Sequence, residues 1–462
     1  MTILAVDFGS TFTKGAMVAE DGTVLATAST PTTGVGVGAR AGGRAGSRRE
    51  GTGDVLDGYR TLRAELDVPD DVTVRACSSA GGGLRLAVVG YERTVTAEAG
   101  HRVGLSAGAK VVHVAAGRLT TAEVAAVRAS RPDLVLLVGG TDGGNRDVLL
   151  HNAGRLAKAE IGGRGAHAVP VVVAGNVEAR DEAAAALART GRPTVLADNV
   201  LPQIGVIAPG SARAAIREAF LRHVIGGKGL SRDPAFAAMV EAATPDAVLL
   251  GVEVLGSVAG GDVLVVDVGG ATTDIYSCLT PEGEDASLRK DVVAPLWHAR
   301  TVEGDLGMRW NAKHVLEAAA AEHLLDTVAD PVALAAYAAR VHERPGSLPV
   351  DDAERALDLE LARLAVVVAV RRHARPAQPT ESARPLANVT RLVGSGGVLR
   401  HAAPAGRDRV LDAVLTDHAG AWKVPRAASA TVDTAYLLFA VGLLAGHPDT
   451  ADAARRLAHH LL

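Results

Sequence analysis

Two stretches of this chain end an apolar strand in the same way. ILAVDFGSTFTKGAMV (residues 3–18) and VLVVDVGGATTDIYS (263–277) each run four apolar residues into an Asp, one spacer and a Gly, then hydroxyl residues, then apolar sequence again. Glycine lets the backbone turn sharply and lets successive amides approach an anion with no Cβ in the way. Ser10, Thr11, Thr13, Thr272 and Thr273 add hydroxyl donors, and Lys14 adds a point charge suited to a β- or γ-phosphate. Asp7 and Asp267 stand where carboxylates can orient a magnesium ion and an attacking water. The matched spacing predicts two strand-and-turn units whose Asp7 and Asp267 carboxylates face one another across a cleft and clasp a nucleotide's phosphates. LVGSGGVLRH (392–401) offers a third glycine turn, where Gly394, Ser395, Gly396 and Gly397 present backbone to a flat base and ribose.

Around these turns, strand-like runs alternate with helical ones, which argues α/β with largely parallel sheets. At 462 residues the chain exceeds one ordinary core, and lobes of roughly 100–200 residues are expected. GAMVAEDG and TVLATAST read as a hairpin around Glu20-Asp21-Gly22, and DVLDGYRTLRAEL (54–66) as an amphipathic helix. Between them, GVGVGARAGGRAGSRREGTG (34–53) reads as a Gly/Arg-rich loop rather than a basic binding arm, because no aromatic residues interleave. KVVHVAAG, PDLVLLVGG, VPVVVAGN and RPTVLADN predict four buried strands between residues 110 and 200, a unit expected to need no help from the rest of the fold. Its turn GGTDGGN (139–145) either holds an anion at the next helix N-terminus or is a tight turn capped by Asn145. TPDAVLLGVEVLG (244–256) predicts a helix with Thr244 as cap and Pro245 first inside. RRHARPAQPTESARP (371–385) reads as a polar loop, ANVTRLVGSGG (387–397) as a strand and TVDTAYLLFAVGLLA (431–445) as a closing helix.

Composition removes several classes of function. With 52 acidic against 48 basic residues and a net charge of −4, nothing argues for nucleic acid. Two cysteines, Cys77 and Cys278, lie far apart without metal-ligand spacing, so a disulfide framework and a structural zinc site are not expected, and a reducing cytoplasm is the default. The opening Met-Thr-Ile-Leu-Ala-Val-Asp lacks the basic and apolar regions of a signal peptide. TAYLLFAVGLLAG (434–446), the longest apolar run, falls short of the ~20 residues of a membrane span. The histidines show no HExxH, and no cobalamin-binding DxHxxG is present.

Taken in order, phosphate turn, connecting helix, second phosphate turn, glycine turn and closing helix resemble the ATPase superfamily of actin, sugar kinases and heat-shock chaperones. That likeness implies two ribonuclease H-like lobes with an inserted parallel βαβ subdomain: a first lobe over 1–109, the insertion over 110–225, connecting helices over 226–262, and a second lobe over 263–462 with a helical insertion at about 312–385. ACSSAGGGLRLAVVG (76–90), TAEAGHRVGLSAGAKV (96–111), LVGGTDGGN (137–145) and RTVEGDLGMR (300–309) resemble, more narrowly, the MutL family associated with glutamate mutase, which shares only its name with the DNA-repair protein. The likeness covers nearly the whole chain; the 34–53 stretch departs from it and looks expanded.

The resemblance implies an accessory ATPase, reactivating or chaperone-like, that binds ATP or ADP with Mg2+ and meets subunits of a cobalamin-dependent carbon-skeleton mutase in the cytoplasm. By it, Asp7, Gly9, Ser10, Thr11 and Lys14 hold phosphate and magnesium from the first lobe, and Asp267, Gly269, Gly270, Thr272 and Thr273 do so from the second. Gly394, Gly396 and Gly397 cradle adenosine. Glu303 and Asp305, in TVEGDLG, either reach the water at the γ-phosphate or form a solvated turn. A small-molecule kinase of the same superfamily, a hydantoinase or oxoprolinase-type hydrolase, and a filament-forming protein stand as alternatives.

Overall fold

The strand ILAVDF is buried on both faces, as its unbroken apolar run requires, and it occupies the centre of a sheet. A computed structural model of the chain describes residues 2–34, 54–80, 83–280, 297–376, 383–418 and 424–462. The Gly/Arg-rich stretch lies, apart from Gly34, outside the described residues. The chain divides into two units, one built from Met1–Gly251 with Phe439–Arg456, the other mainly from Val252–Asp291 and Trp297–Leu438 with Leu457–Leu462.

In the first unit β1 (Thr2–Phe8), β2 (Phe12–Ala19) and β3 (Val24–Pro31) form an antiparallel meander, and β4 (Thr73–Ser78) and β10 (Val240–Ala243) join in parallel on the other side of β1. The order is β10-β4-β1-β2-β3. In the second unit β11 (Val263–Val268), β12 (Thr273–Cys278) and β13 (His298–Glu303) repeat the meander, and β14 (Arg391–Ser395) and β15 (Ser429–Val432) repeat the parallel pair. Their order, β13-β12-β11-β14-β15, is the same. These are two ribonuclease H-like sheets in one α/β chain, the class expected.

A third sheet sits within the first unit. Its strands β5 (Arg85–Gly90), β6 (Lys110–Ala116), β7 (Leu134–Leu137), β8 (Val171–Val173) and β9 (Thr194–Leu196) are all parallel, in the order β6-β5-β7-β8-β9. It has five strands, not four, and the extra one is placed between β6 and β7. RLAVVG is too short to announce its sheet; only its neighbours on both edges reveal it. Leu86 and Val88 of β5 face a core that also contains Leu4, Val6 and Phe8 of the first sheet, while Ala87 and Val89 face the opposite layer with Leu149, Leu156 and Leu187. The inserted sheet is therefore not self-sufficient: it shares its core with the lobe that carries it.

Two further expectations give way to tertiary contacts. The helix Asp352–Ala374 continues through Arg371, Arg372 and His373, which the sequence placed in a loop. Arg371 is held there by Asp417 in a bidentate pair (2.6 and 2.7 Å), and His373 by the hydroxyls of Thr301 and Ser277 (2.9 Å each). Near the C-terminus the expected single helix divides: Thr431 and Val432 pair with β14, Asp433 accepts from the amides of Leu437 and Leu438, and the helix proper is Leu438–Ala445. Among the described residues no helix is long and apolar enough to cross a membrane, and both cysteines are free.

Two measurements test this packing. Gly442 leaves room for the carbonyl oxygen of Ala247, with which any Cβ would collide; Gly442→Ala should lower the unfolding free energy by roughly 1–3 kcal/mol in denaturant titrations. Burial, with the charge of Arg384 second, pushes the His373 imidazole well below its ordinary value. The unfolded chain takes up this proton below about pH 6.5 while the folded one does not, so the contribution is fully present above that pH and declines as pH falls through it. Urea midpoints followed downward from about pH 7.5 should therefore fall less steeply in His373→Gln than in the parent.

Candidate functional site

The first turn is closed by one backbone bond, from the Gly9 amide to the Phe12 carbonyl (3.1 Å). A Cβ at Gly9 would lie 2.5 Å from that oxygen, so only glycine fits. Reversing the strand there sets Asp7 opposite Lys14 in register, and the Lys14 ammonium lies 3.4 Å from Asp7 Oδ2. Asp7 is 2 % exposed. Its Oδ1 accepts from the Thr244 hydroxyl at 2.6 Å and from the Cys77 thiol at 3.7 Å. Thr13 is fully buried and paired with the Thr32 hydroxyl, which in turn donates to the Gly9 carbonyl (2.9 Å), so Thr13 braces the turn from behind. Ser10 and Thr11 are exposed at its tip.

The second turn repeats the bond, from the Gly269 amide to the Thr272 carbonyl (2.9 Å), where a Cβ would again lie 2.9 Å from the oxygen. Here the residue opposite Asp267 is another acid, Asp274. Arg300 binds it through Nε and Nη2 (3.0 and 2.6 Å), and the Thr272 hydroxyl donates to its other oxygen (2.9 Å). Thr273, fully buried like Thr13, donates to the Leu306 carbonyl at 2.6 Å. The loop 304–311 wraps the turn's carbonyls: Met308 donates its amide to Gly269, Arg309 and Trp310 to Gly270, and the Asn311 side chain to Ala271. Gly307 permits this approach, since a Cβ there would collide with the Ala271 backbone.

Glu303 ends β13 directly opposite Thr273, which places it beside the second turn. Arg372 binds Glu303 Oε2 (2.8 Å) and Asp305 Oδ1 (2.7 Å) through one nitrogen. Burial pushes the Glu303 carboxyl up, and the Arg372 bond offsets only part of that. For Asp305 burial also works upward, but the bond and charge of Arg372 outweigh it and the carboxyl falls below its ordinary value.

The third turn joins the second through the sheet, because Ser395 pairs with Asp267 in parallel register. Gly396 has φ 103°, and a Cβ there would collide with the Val268 carbonyl. Beyond it the Arg400 guanidinium lies 4.7 Å over the Tyr436 ring, and Tyr436 itself adopts φ 54°. Within the second unit the fold thus gathers Asp267, Gly269, Gly270, Thr272, Thr273, Glu303, Asp305 and Gly394–Gly397. Within the first it gathers Asp7, Gly9, Ser10, Thr11, Thr13 and Lys14.

Sequence reading missed Thr244, Asp274, Arg300 and Arg372. Thr244 was expected as a helix cap; it is instead the first residue of the helix Thr244–Ala259, and its hydroxyl goes to Asp7. Asp274 closes the motif DVGGATTD and Arg300 opens RTVEGD, a charge complementarity visible in the sequence. The GGTDGGN alternatives also resolve. Asp142 accepts from the Val177 amide and from Asn199, and Asn145 accepts from the Val148 amide, so the turn is a capped one that already holds the Asp142 carboxylate rather than an anion seat. Among the described residues no group of three or more His, Cys, Asp or Glu side chains forms a metal cluster. The donors at the two turns are carboxylate and hydroxyl oxygens, a hard set that suits Mg2+, which takes one or two carboxylates and completes its shell with water and phosphate.

A profile of the MutL protein family matches residues 3–462. Protein MutL of Clostridium tetanomorphum is 33% identical over 480 residues, covering 98% of this chain and 97% of that one. Solved structures give weaker likenesses. Nucleotide-free acetone carboxylase is 15% identical with a TM-score of 0.38, over 96% of this chain and 69% of its own. A ROK family glucokinase from Streptomyces griseus in complex with glucose and AMPPNP is 13% identical with a TM-score of 0.32, over all of both chains. At these scores the structural matches bear no weight beside the strand order itself.

Removing Arg372 should expose its hold on the two acids. In Arg372→Met, Glu303 should titrate further above the ordinary ~4.3 of a glutamate, and Asp305 should rise from below its ordinary ~3.9. Carboxyl-carbon NMR of selectively labelled protein reads both; unchanged titrations would show that Arg372 does not engage them in solution.

Proposed function

The chain belongs to the MutL family, and from that premise we propose that it binds and hydrolyses ATP as an accessory factor that reactivates or chaperones a cobalamin-dependent carbon-skeleton mutase such as glutamate mutase. One observation carries the nucleotide half of this reading. The first strands of two sheets with the same strand order both end in an Asp-x-Gly turn closed by the same glycine bond.

In the second turn the carbonyls are occupied by the 304–311 loop, so the amide side is what remains to meet phosphate oxygens. In the first turn Lys14, steadied by Asp7, is the cation that would meet a phosphate. Asp7 in the first unit and Asp267 in the second are each a candidate carboxylate ligand for Mg2+, which would neutralise charge developing on phosphate oxygens. Glu303 keeps its proton to higher pH than an ordinary glutamate, which moves it toward the range in which a carboxylate accepts a proton from water effectively. The Gly394–Gly397 turn, with Arg400 stacked on Tyr436 beyond it, would cradle adenosine. For the mutase, the support is the family together with the exposed apolar side chains Leu196, Ile204 and Val206 on the inserted sheet and the loop after it. Nucleotide state would change partner affinity only through contacts that differ between the ATP and ADP forms.

Asp267→Asn keeps shape and removes charge. It should leave the unfolding midpoint unchanged and lower magnesium-dependent ATP hydrolysis by roughly two or more powers of ten, and chelating Mg2+ should do the same to the parent. Unchanged turnover in the variant would place the chemistry elsewhere. Pull-downs from the source cell with ATP and with ADP should recover a cobalamin mutase in unequal amounts. Ile204→Asp with Val206→Asp should lose it while hydrolysis persists. Recovery of no mutase, together with transfer of the γ-phosphate to a small hydroxylated metabolite, would favour the kinase alternative.

A further inference from the structure

On one face of the second unit's sheet, the end of β12 and the start of β13 bring a thiol and an imidazole together. Cys278 and His298 stand directly opposite in antiparallel register, a placement that puts the two Cβ atoms about 4.5–5.5 Å apart. The helix Thr244–Ala259 crosses this face and adds a carboxylate: Glu253 Oε1 lies 3.4 Å from His298 Nδ1. Three residues further along that helix, Gly256 makes room for the sulfur, since a Cβ there would lie 2.5 Å from Cys278 Sγ. Thiol, imidazole and carboxylate thus stand in line. The His298 side chain is 45% exposed and Cys278 half-buried, so small solutes can reach the group.

We propose that Cys278 is a nucleophilic, modifiable thiol, with His298 taking its proton and Glu253 holding the resulting imidazolium in place. The electrostatics of the imidazole agree with this geometry. The hydrogen bond with Cys278, then that with Glu253, outweigh burial and push His298 up to about 10, which makes it a stronger base than a free imidazole. The thiolate is the form of the sulfur that reacts. The other ionisable groups on this face of the strands are Tyr276, Asp274 and Arg300, with Asp267 opposite Asp274 on β11 and Arg391 opposite Val263 on β14. Arg300 is closed onto Asp274, and burial drives the Tyr276 phenol up so that it stays neutral. Tyr276, nearest to the sulfur along this face of β12, thus adds no charge there.

Cys77 provides a contrast within the same chain. It is completely buried, and that burial, with the negative charge of Asp7 second, pushes its thiol well above the ordinary range. Toward a peroxide, the Cys278 thiolate would attack one oxygen. An S–O bond forms, the O–O bond breaks, and the leaving hydroxide takes the imidazolium proton to depart as water, leaving a sulfenic acid and neutral His298. Toward an alkyl halide the same sulfur forms an S–C bond and halide leaves. The inference stands independently of nucleotide binding.

The full chain, folded, should be treated with iodoacetamide at about pH 6.5 and, separately, with hydrogen peroxide followed by a sulfenic-acid trap, with peptide mapping by mass spectrometry. Cys278 should be modified in both, and Cys77 only after unfolding. His298→Gln should slow alkylation of Cys278 by roughly tenfold or more at that pH and shift its pH profile upward, and Glu253→Gln should shift it by less. Unfolding midpoints near the parent's would establish that both variants fold; if one does not, the other carries the test. A Cys278 that reacts no faster than Cys77 in the folded chain, or at an unchanged rate in the folded variants, would overturn the proposal.

Discussion

The candidate site depends on one backbone hydrogen bond made twice, from a glycine amide to the carbonyl three residues on. A side chain at Gly9 or Gly269 would stand 2.5 or 2.9 Å from that carbonyl, so the turn tolerates no other residue without shifting. The turn then decides everything near it. It sets which residue lies opposite each aspartate, Lys14 or Asp274, and which threonine is driven inward to brace the loop. The hydroxyl-rich tips follow from this constraint, because the residues between glycine and the returning strand have nowhere else to go.

The same backbone carries different electrostatics in the two units. Asp7 is saturated by a threonine hydroxyl, a thiol and an ammonium group. At the second turn two acids stand side by side, and the arrangement is tolerable because Arg300 takes up Asp274. Arg372 performs a similar service for Glu303 and Asp305. A buried ion pair such as Arg300–Asp274 adds little net stability, but losing one partner leaves a charge stranded. Such pairs therefore restrict how each acid is presented.

The inserted sheet is joined to its lobe more closely than its position in the chain implies. β5 turns one face to the core of the first sheet and the other to the insertion's own helices. A strand used on both faces cannot be shifted without disturbing two layers, since close-packed interiors transmit small displacements. Contacts made at the far end of the insertion are in this way mechanically continuous with the lobe that bears the first turn.

The two strand-and-turn motifs, the third glycine turn, the hairpin at Glu20-Asp21-Gly22 and the helix after Thr244 could all be read from the chain, because each rests on rules that act within a few residues. Apolar runs make strands, glycine makes close turns, and proline starts helices. So could the α/β class and the local make-up of each candidate turn, since Asp7 with Gly9 and Asp267 with Gly269 stand close together within their motifs. What the tertiary structure alone decided involves partners distant in sequence. Thr244 reaches Asp7 across 237 positions, Arg372 reaches Glu303 across 69, β5 finds its sheet only through β6 and β7, and Arg371 and His373 stay helical because Asp417, Thr301 and Ser277 hold them. A local pattern states what a segment prefers. Which charge or hydroxyl it meets depends on chain closure over long loops, and no short-range preference encodes that.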